Sequence, residues 1–506
     1  MRVSSELLPN DAYDAELLAN VRPADWTNPR PASSYNLVVL GAGTAGLVTA
    51  AAAAALGAKV ALVEKNLLGG DCLNVGCVPS KALLRSARFY ADLHQAPRFT
   101  GSAPLPSEVD FAAVMERMRR LRAHISHHDS AQRFRDLGVD VFLGEAAFAD
   151  RRTVNVAGVK LKFIKAVVAT GARSAQPLIE GLAEAGYLTN ETVFNLTERP
   201  RRLLVIGGGP LGCELAQAFA RLGCEVIIAN QEPYFLPGEE RDAAEILADA
   251  LRKDGIDVRL NTEVKSVTSR GGQKLARLVN DDQEETVAVD EILAGVGRVP
   301  NVEGLNLEAA GVEYDREHGV RVNDFMQTSN WRIYAAGDVA LERKFTHMAD
   351  ATARIVVQNA LFLGHKKLSS LTIPWCTYTD PEIAHVGVHV KEAQERGFPI
   401  KTFTVPMSDV DRAVLDGEED GFVKIHVHEG TDTILGATIV ARHAGEMINE
   451  ISLAMVAGIG LKTVSQVIHS YPTQAEAIRK AADAYNRTRL TPFLRALSNR
   501  WLAWSR

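Results

Sequence analysis

Two cysteines five positions apart, Cys72 and Cys77, are the residues whose types and spacing most clearly suggest chemistry. Side chains three or four positions apart share one face of a regular helix. A spacing of five therefore predicts a distorted first turn in which the two sulfurs can still meet. A thiol at the start of a helix lies at its positive end, which lowers the thiol pKa. The pattern favours a redox-active pair, and two neighbouring buried cysteines are the alternative.

A glycine-rich turn shortly before this pair predicts the element that positions it. The turn follows the apolar run 36–40, precedes an alanine-rich helix over 47–56, and is followed by a second strand over 59–64. Strand, turn, helix, strand and a final acid together form a dinucleotide-binding fingerprint. The residues that this fingerprint assigns to a nucleotide are Gly41, Gly43, Gly46 and Glu64.

The same pattern recurs after residue 200, which predicts a second nucleotide site. Its three fingerprint glycines are Gly207, Gly209 and Gly212. Its second strand ends in Asn230 rather than in an acid or an arginine, so the choice between NADH and NADPH stays open.

Other strand ends carry small or acidic residues that suit a ligand. The buried run 165–171 ends in Thr170 and Gly171, and a later strand ends near Gly297. The run 331–338 ends in Asp338, which is either a ligand for a cofactor hydroxyl or a turn cap.

Composition describes an ordinary protein of several domains. A length of 506 residues predicts about two to four domains. The formal charge of −6 and the absence of a long basic run argue against nucleic-acid binding. The arginines and histidines at 117–128 are interpreted as the solvated face of a helix, and no metal site is predicted from them.

Cysteine use and hydropathy favour a cytoplasmic location. Five cysteines do not form a secreted disulfide framework. No apolar run reaches the ~20 residues that span a bilayer. The tryptophan-containing end at 501–506 is interpreted as a packed terminal helix, with a peripheral membrane contact as the alternative.

The predicted fold is α/β, with two Rossmann-like nucleotide-binding domains and a C-terminal α+β dimerisation domain. Alternating apolar segments after residue 400 predict an antiparallel sheet in the last domain. The predicted boundaries are an N-terminal arm over 1–34, an FAD-binding domain over 35–185 and 306–374, an NAD(P)-binding domain over 186–305, and the dimerisation domain over 375–506.

With its two fingerprints, its Cys72/Cys77 segment and Asp338, the chain resembles the class I flavin-dependent pyridine nucleotide-disulfide oxidoreductases. That family includes dihydrolipoamide dehydrogenase, glutathione reductase and mercuric reductase. The resemblance implies FAD on the first fingerprint, NADPH or NADH on the second, and a homodimer. It also implies that Cys77 is the charge-transfer thiolate beside the flavin and that Cys72 meets the substrate.

The resemblance assigns further roles. Lys81 is expected near the flavin, paired with Glu214, and Asp338 is expected on the ribityl chain of FAD. Additional cofactor contacts are expected at Lys65, Gly70, Thr170, Gly171 and Gly297.

The departures from the family pattern concern the substrate. Tyr471 stands where disulfide-reducing members carry an acid-base histidine, while Glu476 keeps its place. A tyrosine with an ordinary pKa of ~10 cannot exchange protons at neutral pH as histidine does. His469 is a possible substitute, although a surface histidine is the favoured interpretation. Tyr471 is shared with mercuric reductases, but their C-terminal cysteine pair and N-terminal metal-binding domain are expected to be missing here.

The sequence thus predicts an NAD(P)H oxidoreductase that passes electrons through Cys72 and Cys77 to a metal ion or a small electrophile, similar to mercuric reductase. One alternative is dihydrolipoamide dehydrogenase or another disulfide reductase. The other is a non-enzymatic flavoprotein redox sensor.

Overall fold

The structure is a computed structural model, and it describes residues 7–101, 108–280, 283–362 and 364–506. The described α-helices are α1 (Ala12–Val21), α2 (Thr44–Ala55), α3 (Gly70–Val75), α4 (Cys77–Thr100), α5 (Phe111–Ser126), α6 (Ala131–Asp136), α7 (Leu182–Ala185), α8 (Pro210–Arg221), α9 (Arg241–Lys253), α10 (Leu307–Ala310), α11 (Thr346–Leu361), α12 (Val390–Glu395), α13 (Asp411–Asp416), α14 (Ala444–Val456), α15 (Leu461–Val464), α16 (Glu476–Thr488) and α17 (Pro492–Trp504). No helix in these ranges is both long enough and apolar enough to cross a membrane.

The described strands are β1 (Tyr35–Leu40), β2 (Val60–Glu64), β3 (Asp140–Leu143), β4 (Ala146–Asp150), β5 (Thr153–Val156), β6 (Val159–Val168), β7 (Ala172–Ser174), β8 (Arg202–Ile206), β9 (Glu225–Ala229), β10 (Asp257–Arg259), β11 (Thr262–Arg270), β12 (Gln273–Asn280), β13 (Gln283–Val289), β14 (Glu291–Ala294), β15 (Arg298–Pro300), β16 (Tyr314–Asp315), β17 (Gly319–Val320), β18 (Ile333–Ala335), β19 (Pro374–Thr377), β20 (Glu382–Gly387), β21 (Ile400–Pro406), β22 (Phe422–His428) and β23 (Ile434–Ala441).

The chain divides into two compact units. The first unit contains residues 1–207, 218–229 and 262–371, and the second contains residues 208–217, 230–261 and 372–506. Each unit has a core of its own, and each is described separately.

A seven-stranded sheet organises the first unit. Its parallel strands lie in the order β3-β2-β1-β6-β18, and the antiparallel strands β5 and β4 extend it from the first half of β6. Leu37, Val38 and Val39 in β1 are fully buried, as expected for a central parallel strand with both faces covered. The second fingerprint contributes the parallel strands β9, β8 and β14 to the same unit. The α/β fold class predicted from the sequence is confirmed.

The described part of the N-terminal arm is anchored by buried charges. Arg122 of α5 forms an ion pair with Asp14 of α1 at 2.9 Å between Nη2 and Oδ1, and both side chains are buried. Arg119 pairs with Asp11 at 2.6 Å. The sequence interpretation of these arginines as a solvated helix face is therefore wrong for both of them, because both guanidinium groups are buried and each pairs with a carboxylate of α1 or its N-cap. Arg120 does lie on the exposed face.

An antiparallel sheet forms the core of the second unit, as the alternating sequence predicted. Its order is β19-β20-β23-β22-β21. Apolar residues of β22 and β23 pack with those of α14 and α16 around one buried cluster.

The C-terminal helix α17 differs from its predicted environment. Every residue from 487 to 506 is exposed, and α17 has no buried residue. Within one subunit the predicted packing of this helix does not occur, because none of the described residues covers the apolar side chains of α17.

Candidate active site

The first glycine turn is shaped for close backbone approach. Gly41 has a φ of +99°, and a Cβ atom there would lie 2.3 Å from the carbonyl oxygen of Ala169. A Cβ atom at Gly46 would lie 1.8 Å from the carbonyl oxygen of Gly41, so only glycine fits at either position. Gly43 is different, because a Cβ atom there would come no closer than 3.6 Å to Gly70. A Cβ atom at Gly43 would therefore make only an ordinary van der Waals contact with Gly70.

The helix that follows this turn presents unpaired amide groups. Gly43 is the N-cap of the twelve-residue helix α2, and no side chain among the described residues caps its first turn. Free N–H groups at the positive end of a helix bind phosphate. The turn and the helix together fit the pyrophosphate of a dinucleotide.

The acid at the end of β2 holds the turn in place. Glu64 accepts hydrogen bonds from the amides of Ala42 at 2.7 Å and Asn66 at 2.8 Å. Its side chain is buried, and this burial raises the pKa of its carboxyl group despite the two hydrogen bonds. Each carboxylate oxygen keeps a second lone pair, so the predicted contact with a ribose stays compatible with this geometry.

Asn230 performs the equivalent task in the second unit. Its Oδ1 accepts from the amide of Gly208 at 3.0 Å, and its Nδ2 donates to the carbonyl oxygens of Glu232 and Tyr234. Asn230 is 22 positions after Gly208, the same separation as between Ala42 and Glu64. Asn230 therefore braces its own glycine turn, and a Cβ atom at Gly209 would meet no atom within 4 Å.

The cysteine segment consists of two helices separated by one residue. Cys72 lies in the short helix α3, which ends at Val75, and Cys77 is the first residue of α4. Between them Gly76 has φ −131° and ψ −117°, and a Cβ atom there would lie 2.8 Å from the carbonyl oxygen of Asp71. The helical distortion that the cysteine spacing predicted is therefore a break at Gly76 between two helices.

The two thiols are electrostatically different. A hydrogen bond from Cys72, followed by the Thr346 hydroxyl and the Lys81 charge, lowers the pKa of Cys77 to about 6 although burial opposes the shift. The Cys77 sulfur lies 3.3 Å from the Thr346 hydroxyl oxygen. The same hydrogen bond, together with burial, raises the pKa of Cys72. In the reduced pair Cys77 therefore carries the negative charge, as the start of a helix favours.

An ion-paired group that the sequence analysis missed holds the residue before Cys72. Arg298 pairs with Asp71 at 2.6 Å between Nη2 and Oδ2, and its Nε lies 3.7 Å from Asp338. Asn190 donates to Asp71 at 3.0 Å and to the carbonyl oxygen of Val75 at 3.2 Å. Both ends of α3 are thus fixed by neighbouring segments. The available signal was the position of Arg298 immediately after the predicted strand end at Gly297.

The strand ends that carry Thr170 and Asp338 fit the remaining parts of FAD. Thr170 donates its hydroxyl to the carbonyl oxygen of Asn301, and Asn301 donates back to the carbonyl oxygen of Thr170. Gly171 and Gly297 have φ values of +68° and +109°, and a Cβ atom at either would meet open space. Burial raises the pKa of Asp338 although Arg298 opposes this shift. The open glycines, the uncapped helix and the acid of this first unit together fit FAD.

Glu214 and Lys81 have separate local environments within their own units. The buried Glu214 accepts from the amide of Tyr378 at 2.9 Å. Lys81 lies in α4, where its charge acts on Cys77. The Lys81–Glu214 pair stays a prediction.

The predicted proton-transfer residues all lie in the second unit. Tyr471 is 70% exposed, and its hydroxyl donates to Asp411 at 2.8 Å. That hydrogen bond raises the pKa of Tyr471. His469 contacts Glu450 at 3.1 Å, so its side chain is paired rather than free in a surface loop. Glu476 is buried, and it accepts from Arg479 at 2.8 Å.

The structure therefore distributes the predicted site residues between its units. Those in the first unit are Gly41, Gly43, Gly46, Glu64, Lys65, Gly70, Cys72, Cys77, Lys81, Thr170, Gly171, Gly207, Gly297 and Asp338, and those in the second are Gly209, Gly212, Glu214, Asn230, His469, Tyr471 and Glu476. The first set brings the glycine turn, Asp338 and the cysteine pair into one unit.

Comparison with known families decides the identity of this arrangement. A model described as pyridine nucleotide-disulphide oxidoreductase matches residues 35–354, and the dimerisation domain of the same family matches residues 373–482. The chain belongs to this family. As a pyridine nucleotide-disulphide oxidoreductase it is an FAD-dependent enzyme with NAD(P)H as electron donor, and its dimerisation domain supports a homodimer.

Relatives of this oxidoreductase include enzymes with different acceptors. Mercuric reductase from Lysinibacillus sphaericus is 34% identical over 454 residues, which are 90% of this chain and 83% of that protein. Dihydrolipoyl dehydrogenase from Thermus scotoductus is 34% identical over 465 residues, which are 90% of this chain and 98% of that protein.

Solved structures show the same fold. The Cu(II) complex of the HOCl-induced flavoprotein disulfide reductase RclA from Escherichia coli has a TM-score of 0.79 and 28% identity, covering 88% of this chain and 98% of that one. LpdA from Mycobacterium tuberculosis has a TM-score of 0.80 and 28% identity, covering 89% of this chain and 99% of that one.

Proposed function

We propose that this oxidoreductase passes electrons from NAD(P)H through the Cys72–Cys77 pair to a metal ion or a small electrophile, with mercuric ion as the first candidate. The observation that carries this proposal is the environment of Tyr471. Its exposed hydroxyl is committed to Asp411, and this contact raises its pKa. Such a group neither takes nor gives a proton near neutral pH.

The proton balance of the two reaction types explains why Tyr471 matters. One NAD(P)H and Hg(II) give NAD(P)⁺, Hg(0) and one released proton. One NAD(P)H and a disulfide give two thiols, which requires one additional proton from an acid near the leaving sulfur. A metal ion therefore suits a site without an acid-base histidine better than a disulfide does. The mercuric reductase relatives and the Cu(II) complex of RclA support a metal ion as acceptor.

Residues of the first unit would bind FAD and carry the electrons to the acceptor. Gly41, Gly43 and the first turn of α2 would bind the pyrophosphate of FAD, and Asp338 would bind its ribityl chain. When bound, FAD accepts a hydride from the nicotinamide and supplies an electron pair to the disulfide. Cys77 would hold the negative charge of the reduced pair, while Cys72 would meet the acceptor.

Lipoamide or another small disulfide is the second candidate acceptor. The dihydrolipoyl dehydrogenase relatives match this chain as closely in identity as the mercuric reductases. His469, with Glu450 at 3.1 Å, is an alternative proton-transfer group for that reaction.

A substrate panel separates these acceptors. NAD(P)H consumption is measured with Hg(II), lipoamide, oxidised glutathione and a quinone, and turnover is expected to be fastest with Hg(II). Tyr471→His is expected to raise turnover with the two disulfides and to leave Hg(II) reduction unchanged. Tyr471→Phe, which adds no imidazole, is the matched control. Faster turnover of lipoamide than of Hg(II) by the unmodified enzyme would contradict the proposal.

The environment of Asn230 favours NADH as the coenzyme. No arginine or lysine lies in the segment 230–235, and Glu232 in that segment would repel a 2′-phosphate. Two arginines near this segment, Arg241 and Arg259, already form ion pairs with Glu245 and Asp257. The expected result is a higher kcat/KM with NADH than with NADPH.

We also propose a cytoplasmic location, because reducing conditions would keep the Cys72–Cys77 pair cycling.

A further inference from the structure

The helix α17 presents an apolar stripe that nothing in the described chain covers. At 100° per residue, five apolar side chains fall within about a third of its circumference. Each is at least 46% exposed, and they are Phe493, Leu494, Leu497, Trp501 and Trp504. The two tryptophan rings lie 5.5 Å apart, so they form one continuous aromatic surface.

The charged residues of this C-terminal segment all have one sign. No acidic residue follows Asp483 in the sequence, whereas arginines occur at 487, 489, 495, 500 and 506. The whole chain has a formal charge of −6, so this segment is a local cationic region on an otherwise acidic protein. Arginines beside exposed tryptophan and leucine are the composition of helices that lie in the interface of an anionic membrane.

The stripe also lies outside the residues that match the dimerisation domain. The family match to that domain ends at residue 482, ten residues before α17 begins at Pro492. The expected contact between subunits therefore belongs to the preceding sheet and helices. A second copy of the chain would also bring the same arginines against each other, which charge repulsion disfavours.

We propose that α17 binds the surface of a membrane that contains anionic lipids. The apolar stripe enters the boundary between headgroups and acyl chains, the tryptophans lie at that boundary, and Arg500, which flanks the stripe, contacts a lipid phosphate. A stripe of this length gives reversible binding that depends on ionic strength, since part of the attraction is electrostatic. The oxidoreductase would then work at a membrane surface without spanning it.

Vesicle co-sedimentation of the FAD-loaded full-length enzyme tests this proposal. Vesicles of phosphatidylcholine alone are compared with vesicles that contain phosphatidylglycerol, each at low and at high salt. Binding is expected only to the phosphatidylglycerol vesicles, and it is expected to weaken as salt rises. No binding at low salt would overturn the proposal.

Two variants connect the binding to α17. Trp501→Ala combined with Trp504→Ala is expected to weaken vesicle binding about tenfold. Arg500→Gln, beside the stripe, is expected to weaken it about fivefold, whereas Arg495→Gln, on the opposite face of α17, is expected to change it less. Trp331→Ala is the matched control, because Trp331 is 55% exposed but lies in the first unit. Equal binding by the control and the double tryptophan variant would overturn the role of α17.

Light scattering distinguishes membrane binding by α17 from a contact of α17 with a second copy of the chain. The double tryptophan variant is expected to keep the molecular mass and the NAD(P)H oxidation rate of the unmodified enzyme. If that variant instead becomes a monomer, and the unmodified enzyme does not bind vesicles, the stripe is a contact between two copies and the proposal is wrong.

Discussion

Replacing Cys72 by alanine removes the largest contribution to the low pKa of Cys77. The hydrogen bond from Cys72 is the first of three groups that lower this pKa to about 6, ahead of Thr346 and Lys81. At that pKa about nine-tenths of Cys77 is thiolate at pH 7, compared with about one-hundredth at an ordinary pKa near 9.

The size of the effect follows from the strength of the hydrogen bond. A hydrogen bond to a charged group contributes about 1.5–3 kcal/mol, which corresponds to about one to two pKa units. Because a thiol is a weak hydrogen-bond donor, we expect the lower end of that range. Cys72→Ala should therefore raise the pKa of Cys77 to about 7, where half of the thiol is ionised at pH 7. Cys72→Ser retains a hydroxyl donor and should keep the pKa near 6.

The assay is the rate of iodoacetamide alkylation of Cys77 as a function of pH, followed by peptide mass spectrometry on both variants with FAD bound. Mass spectrometry separates Cys77 from Cys213 and Cys224, whose burial raises their pKa values and slows their reaction. The same pKa for Cys77 in both variants would refute the role of the hydrogen bond. A pKa near 9 in the serine variant would refute the assignment of Cys77 as the charged thiol.

The remaining predictions concern stability and cofactor binding. Arg122→Met leaves the buried Asp14 without its counter-charge and should lower the free energy of unfolding, measured by denaturant titration, by about 3–5 kcal/mol. Arg120→Met, at an exposed position of the same helix, is the control and should change that free energy by less than about 0.5 kcal/mol. Gly41→Ala should abolish FAD retention on a desalting column, because its Cβ would meet a backbone carbonyl at 2.3 Å. Gly57 has a similar φ of +88°, but a Cβ atom there would meet no atom within 4 Å, so the control variant Gly57→Ala should keep FAD. Loss of FAD from both variants would mean that backbone strain, rather than the close approach at Gly41, decides FAD binding.

Local patterns predicted the parts of the site that local geometry determines. The glycine turns, the helices behind them and the break between Cys72 and Cys77 depend on residues close in sequence, so their spacing was informative. The antiparallel sheet of the second unit followed from the alternation of apolar residues in the same way.

Contacts between distant segments were not predictable from those patterns. The sequence could not reveal that Arg122 meets Asp14, because 108 positions separate them and a helix with four arginines resembles a solvated face. Arg298 was missed for the same reason, since its partner Asp71 lies more than 200 positions earlier. The amphipathic pattern of α17 predicted a helix but carried no information about what covers it.

A hydrogen bond between Arg122 and Asn74 connects the N-terminal arm to the helix that carries Cys72. Besides pairing with Asp14, Arg122 donates to the carbonyl oxygen of Asn74, and Asn74 lies in α3 two residues after Cys72. A version of the enzyme trimmed to begin at Tyr35, where the family match starts, would keep every fingerprint residue and yet remove the anion on which this guanidinium depends. Shortening the chain to its recognisable domains would therefore loosen the helix that carries the reactive sulfur.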